Sequence, residues 1–235
     1  MPEEVTNDIL LCSETGSGTM PGIKELTDHI LTALDGRENG PWKGIPDEIF
    51  IATMGAFSRF VNEHYVSYGN YGFDRYFWTT RQANAKLFRI GELEYELVDE
   101  KPGSADIHIP SDASLLPDKL NDSVSKAKTF FSEFFPEKKV ERFVLDSWLL
   151  SPELKKLLPE SSHILHFQAA FDITESNPEP NGFLEWVYKI PGSRLDNVDF
   201  ESLSEDTSLQ RNMKAFLLQG GKIGDACGIL SREFM

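Results

Sequence analysis

Apolar positions in the first third of the chain repeat with a helical period. Ile23, Leu26, Ile30 and Leu34 recur every three or four residues, which predicts a helix from Pro21 to Leu34 with Gly36 as its stop. Gly36 to Pro46, rich in glycine and proline, reads as a loop. Phe50, Met54, Phe57, Phe60 and Val61 then mark a second amphipathic helix between Ile49 and Tyr65. From Leu87 the period changes. Leu93, Tyr95 and Leu97 alternate with polar residues, so Leu87 to Val98 reads as one or two strands bent at Gly91.

Downstream, strands and helices take turns. Asp106 to Pro110 is a short strand closed by proline. A helix opened by Asp122-Ser123 carries Val124, Ala127, Phe131 and Phe134 on one face. Arg142 to Leu149 is a strand, followed by a short helix capped near Ser151-Pro152-Glu153. His163 to Ala170 reads as a helix, Phe171 to Ile173 as a strand, and Phe183 to Ile190 as an alternating strand. Thr207-Ser208 caps a last helix, Leu209 to Gln219, before Gly220-Gly221. The pattern predicts an α+β protein with a small mixed sheet rather than a doubly wound one, behind a helical region. The expected division is a helical N-terminal region over residues 1–80 and a sheet-containing domain over residues 81–235.

Charge narrows the partners. Thirty-eight acids oppose 23 Lys plus Arg among 235 residues, a formal net charge of -15. Such a field disfavours nucleic acid and anionic membrane, and Lys138-Lys139 and Lys155-Lys156 are pairs beside acids rather than basic runs. No apolar run approaches the roughly 20 residues that span a bilayer. The acidic start is unlike a signal peptide, so the expectation is a cytoplasmic protein. Cys12 and Cys227 fit neither a zinc motif nor a disulfide scaffold.

The candidate chemistry lies in three places. Ser67 to Gln82 packs six aromatics among turn residues; it is either a ligand-facing loop, offering Tyr76 and Trp78, or a hydrophobic joint. Asp106 to Phe131 is a strand-turn-helix unit. A helix N-terminus presents free amides to an anion, Ser111, Ser114 and Ser123 add hydroxyls, and Lys126 falls in the expected first turn; an ordinary connection has the same composition. His108, in the short strand, is of the type that removes a proton from an amine near neutral pH, or else is a half-buried histidine bonded to backbone. Glu94 and Glu96 flank Tyr95 and can polarise a water, or simply face solvent. Ser147 lacks the elbow of a serine hydrolase, and His163 and His166 lack a third metal ligand at telling spacing.

Together these segments resemble a known family. Tyr71-Gly72-Phe73-Asp74-Arg75, Leu87 to Tyr95, His108-Ile109-Pro110, Ser123 to Phe131, Ser147 to Pro152, Ser162-His163-Ile164 with Phe167 and Phe171, and Thr207 to Arg211 followed by Gly220-Gly221 keep a consistent order. They are similar to bacterial acyltransferase-domain proteins with a helical N-terminal region and a C-terminal domain of the GCN5-related N-acetyltransferase (GNAT) type. The resemblance spans roughly Phe57 to Leu230. It implies acyl-CoA as co-substrate, with an amine of a small molecule or a protein as acceptor; no metal is expected, because the histidines lack a third ligand at telling spacing. It makes Ile107 to Pro110 the central strand, and has Ile109, Ser111, Ala113, Ser114, Ser123 and Lys126 hold the coenzyme. Ser147 and Trp148 fall on the acyl or acceptor side, and His108, or Glu94 or Glu96 through water, is the base.

Two departures matter. The superfamily's Gln/Arg-x-x-Gly-x-Gly/Ala phosphate loop is here Ser111-Asp112-Ala113-Ser114-Leu115-Leu116, without glycine. The tyrosine acid of the superfamily has Phe167 as its nearest counterpart. The alternative expectation is therefore a catalytically degenerate domain that binds acyl-CoA or serves a structural role.

Overall fold

The computed structural model describes residues 1–231 and divides them into two compact units. The first comprises Met1–Ile90 with Glu94–Val98, the second Gly91–Leu93 with the chain from Asp99 onward.

The first unit is built on four helices: α1 (Glu3–Thr15), α2 (Ile23–Asn39), α3 (Asp47–Tyr68) and α4 (Tyr76–Ala83). Its core joins Val5 and Cys12 of α1, Ile23 and Leu26 of α2, Ala56, Phe57, Phe60 and Val61 of α3, and Phe73. In α1 the exposed Leu10 and Leu11 stand beside the buried Val5 and Cys12, and this blurs its period in the sequence. The helix is fixed by Asp8, whose buried carboxylate accepts the amides of Thr19 and Met20 at 2.9 and 2.7 Å. The predicted stop at Gly36 is corrected: α2 continues to Asn39. Gly36 is there for space, because a Cβ at that position would sit 3.3 Å from the Trp42 ring. Trp42 is fully buried, donates Nε1–H to the Gln82 carbonyl at 2.9 Å, and meets Phe50 and Phe88 edge to face. Strands β1 (Leu87–Ile90) and β2 (Leu93–Glu96) follow, neighbours in a sheet as the alternation predicts.

The second unit carries β3 (Ser104–His108), α5 (Pro117–Phe134), β4 (Arg142–Ser147), α6 (Leu154–Leu157), α7 (His163–Gln168), β5 (Phe171–Asn177), α8 (Gly182–Tyr188), α9 (Ser208–Leu218) and β6 (Asp225–Leu230). Its strands lie in the order β3-β4-β6-β5. β3 and β4 are parallel, so the chain between them must cross over, and α5 is that crossover. β6 inserts between β4 and β5, antiparallel to both. The fold is thus α+β with a mixed sheet. α5 buries Leu120, Val124, Ala127 and Phe131, spaced at helical period, and Phe131 packs against Phe143 of β4 with ring centroids 6.5 Å apart.

Three expectations on elements change. Residues 183–190, predicted as a strand, belong mainly to α8. Phe183, Leu184, Val187 and Tyr188 are spaced i, i+1, i+4, i+5, a helical face that alternation conceals, and they pack with Leu154, Leu157, Met213 and Leu217. α5 starts at Pro117 rather than Asp122, with proline at its first position, where the missing N–H costs nothing. β5 runs on to Asn177 through an irregularity between Ile173 and Glu175. α9 matches its predicted start: Thr207 and Gln210 form a reciprocal capping box.

Candidate functional site

In the second unit, the β3–β4 ladder pairs Ser104 with Arg142, Ala105 with Phe143 and Asp106 with Val144. β3 continues to His108 and β4 to Ser147, past the last pair of that ladder, while Leu145, Asp146 and Ser147 pair with β6. The two parallel strands therefore part at their C-terminal ends, the edge of an open sheet at which ligands bind.

Ile107 is the first β3 residue beyond the ladder, and it lines an apolar cleft of about 440 Å3, its open mouth included. Leu115, Leu120 and Val124 wall it on the α5 side, Phe167 and Ala170 on the α7 side, and Phe171 and Leu230 close it beside β5 and β6. Among the described residues that line it, the polar side chains are those of Asn121 and His166. An aliphatic chain suits such a surface, at about 0.8 kcal/mol for each buried methylene. Strand alternation places the half-buried His108 on the face of β3 opposite Ile107.

The loop after β3 begins with half-buried Ile109 and exposed Ser111. The Ala113 amide closes a turn on the Pro110 carbonyl at 2.9 Å. The Ser114 amide donates to Oε2 of Glu92 at 2.8 Å, and Nζ of Lys119 stands 3.1 Å from Oε1 of the same carboxylate. Ser123 is fully buried in the second turn of α5, where its hydroxyl accepts the Leu93 amide at 3.3 Å. Gly91 has φ +63 and a Cβ there would stand 3.0 Å from that of Ser123, so this turn requires glycine twice over. Because α5 starts earlier than predicted, Lys126 lies in its third turn, not its first, and pairs with Asp122 at 2.7 Å on the exposed face.

Ser147 caps the short turn after β4, its hydroxyl accepting the Leu149 amide at 3.2 Å. Trp148 packs against the cluster around Leu154 and Phe183.

The remaining candidates lie in the first unit. The Glu94 carboxylate is buried, only 2% exposed, and receives the Arg59 guanidinium at 2.7 Å; Arg59 also approaches Glu63 at 3.8 Å. Glu96 receives the Arg81 Nε at 2.7 Å. Trp78 packs on the helical core with the Arg81 guanidinium 4.4 Å from its ring centre, and Tyr76 is 54% exposed beside Phe77. The aromatic run is thus divided between core and surface.

Among the described residues no group of three or more His, Cys, Asp or Glu is arranged to hold a metal ion, and no helix is long and apolar enough to cross a membrane. Sequence reasoning missed Glu92 and most of the cleft. The cleft residues come from separate elements, and the sequence marks Ile107, Val124, His166, Phe167 and Phe171 one by one, never as a cleft.

Residues 87–230 match the family described as the GNAT-like C-terminal domain, and residues 41–85 match the N-acyltransferase N-terminal domain. Among solved structures, an acyltransferase in complex with decanoyl-CoA and teicoplanin superposes with a TM-score of 0.80 at 24% identity, over 97% of this chain and 75% of that one. An acyltransferase variant in complex with octanoyl-CoA gives the same TM-score and identity, over 97% and 76%. At that identity the likeness is one of fold. No curated protein matches the chain.

Proposed function

The chain belongs to the family of the GNAT-like C-terminal domain, and from that premise we propose that it is an acyl-CoA-dependent N-acyltransferase that moves a medium-length acyl group to an amine. The observation that carries the reading is the apolar cleft beginning at Ile107, where β3 and β4 part. An acyl chain enters the cleft, its thioester carbonyl sits at the gap between the strands, and backbone amides there hold the carbonyl oxygen. The amine comes from the opposite face of β3, where His108 takes its proton as nitrogen attacks the carbonyl carbon. The carbon–sulfur bond then breaks and the coenzyme leaves as a thiolate. Phe167 has no proton to give, so solvent protonates the sulfur; a thiol of ordinary pKa is a competent leaving group without an acid.

Of the neighbours of similar fold, one was solved with decanoyl-CoA and teicoplanin and another with octanoyl-CoA. Medium-chain thioesters are therefore the first donors to try, and a glycopeptide amine the first acceptor, ahead of a small-molecule or protein amine. Glu94 and Glu96, each engaged by a guanidinium, are better suited to holding structure than to moving protons.

A second reading has one observation in its favour. The loop from Ser111 to Leu116 has no glycine, which suits a domain that binds a thioester without turning it over. Release of free thiol from decanoyl-CoA in the presence of an amine panel separates the two. Amine-dependent release supports transfer; tight binding without release supports the second reading.

A further inference from the structure

We infer that Glu92 limits how much the coenzyme's phosphates contribute to binding, because its carboxylate already engages the donors at the start of α5; this rests on the acyl-CoA reading above. Both of its oxygens are engaged there. Oε2 accepts the Ser114 amide at 2.8 Å, and Oε1 lies 3.1 Å from the Lys119 ammonium in the first turn of the helix. A backbone amide and an ammonium are the two kinds of donor that a diphosphate uses at a strand-to-helix loop.

The carboxylate is held by the backbone. Gly91, with φ +63 and with Ser123 pressed against it, fixes the turn, and the next amide but one, from Leu93, is tied to the Ser123 hydroxyl. The Glu92 side chain is 20% exposed, so water screens its charge only in part. A diphosphate reaching for the same donors meets a like charge already on them. Either the carboxylate swings away, giving up both contacts, or the phosphates bind without those donors. In each case the nucleotide end of the coenzyme contributes less than the loop's position suggests, and the acyl chain carries more of the affinity. Glu92 thereby tilts recognition from the coenzyme's phosphates toward its acyl group.

The test compares two thioesters that share an acyl chain. Wild type and Glu92→Gln are titrated by calorimetry, at low salt, with decanoyl-CoA and with decanoyl-pantetheine, which lacks the phosphates. Glutamine keeps an oxygen for the Ser114 amide and removes only the charge. The expected result is that Glu92→Gln binds decanoyl-CoA about tenfold tighter, a gain that fades at high salt, and binds decanoyl-pantetheine as wild type does. Glu92→Ala, with its melting temperature checked against wild type, should shift the ratio of the two affinities the same way. If both thioesters bind and neither variant changes that ratio, the inference is overturned and the acyl-CoA reading stands. If neither thioester binds any of the three proteins, the acyl-CoA reading falls and takes the inference with it.

Discussion

The rings of Phe167 and Phe171 meet edge to face, centroids 5.0 Å apart, and both line the apolar cleft. One ends a turn of α7 and the other begins β5, so their contact fixes the helix on the sheet and bounds the space for a chain. Shortening Phe167 should lengthen the chain the cleft accepts. In Phe167→Leu, the acyl length beyond which affinity stops rising should move up by at least one methylene. Titration with acyl-CoAs of increasing length reads this directly; an unmoved plateau would separate Phe167 from the chain site.

His108→Ala should lower kcat/KM by about 10²–10⁴-fold, the ordinary contribution of a positioned base. The affinity for decanoyl-CoA should stay as in wild type, since His108 faces away from the cleft. An unchanged kcat/KM would rule His108 out as the base.

Glu94 behaves differently. Replacing it by alanine leaves Arg59, itself only 12% exposed, without its 2.7 Å partner. Removing one member of a buried pair typically costs about 3–5 kcal/mol, so Glu94→Ala should show a large fall in melting temperature. Glu96→Ala, whose partner Arg81 is 31% exposed, should cost no more than about 1 kcal/mol. Turnover that disappears in Glu94→Gln at unchanged stability would return Glu94 to the list of bases.

Alkaline stability depends on Tyr188. Its hydroxyl donates to the Gln210 carbonyl at 2.8 Å, and burial pushes the phenol up to about 12 from an ordinary 10.0. The unfolded chain therefore loses this proton before the folded protein does. Stability is intact below pH 10.0 and declines as pH rises toward about 12. Tyr188→Phe should lose the hydrogen bond at neutral pH but flatten the decline in that window. Urea melts of both proteins across the window check the sign.

Much of this fold was legible in the sequence, for identifiable reasons. α3 shows its period over several turns, and the Thr207–Gln210 capping box marks α9. β1 and β2 are separated at Gly91, a turn that needs glycine. α8 was not legible, because its apolar residues satisfy alternation and helical spacing alike, and only packing on α6 and α9 decides between them. The sequence hides the true start of α5, because Pro117 resembles a loop residue rather than a first helical one, and Lys126 consequently lies deeper in the helix than expected. Of the candidate site, His108 and the loop after it were marked by residue type. The cleft was not, since no sequence period connects Ile107, Val124, Phe167 and Leu230. Nothing in the residue pattern marks Glu92, because its contact with the Ser114 amide depends on the turn at Gly91.

The most direct test of the central claim is calorimetric titration of the intact protein with CoA, acetyl-CoA, octanoyl-CoA and decanoyl-CoA under one set of conditions. An acyl chain that enters the cleft should tighten binding by about fourfold per methylene, so decanoyl-CoA should bind far more strongly than acetyl-CoA. Equal affinity for all four, or no binding to any, would contradict it.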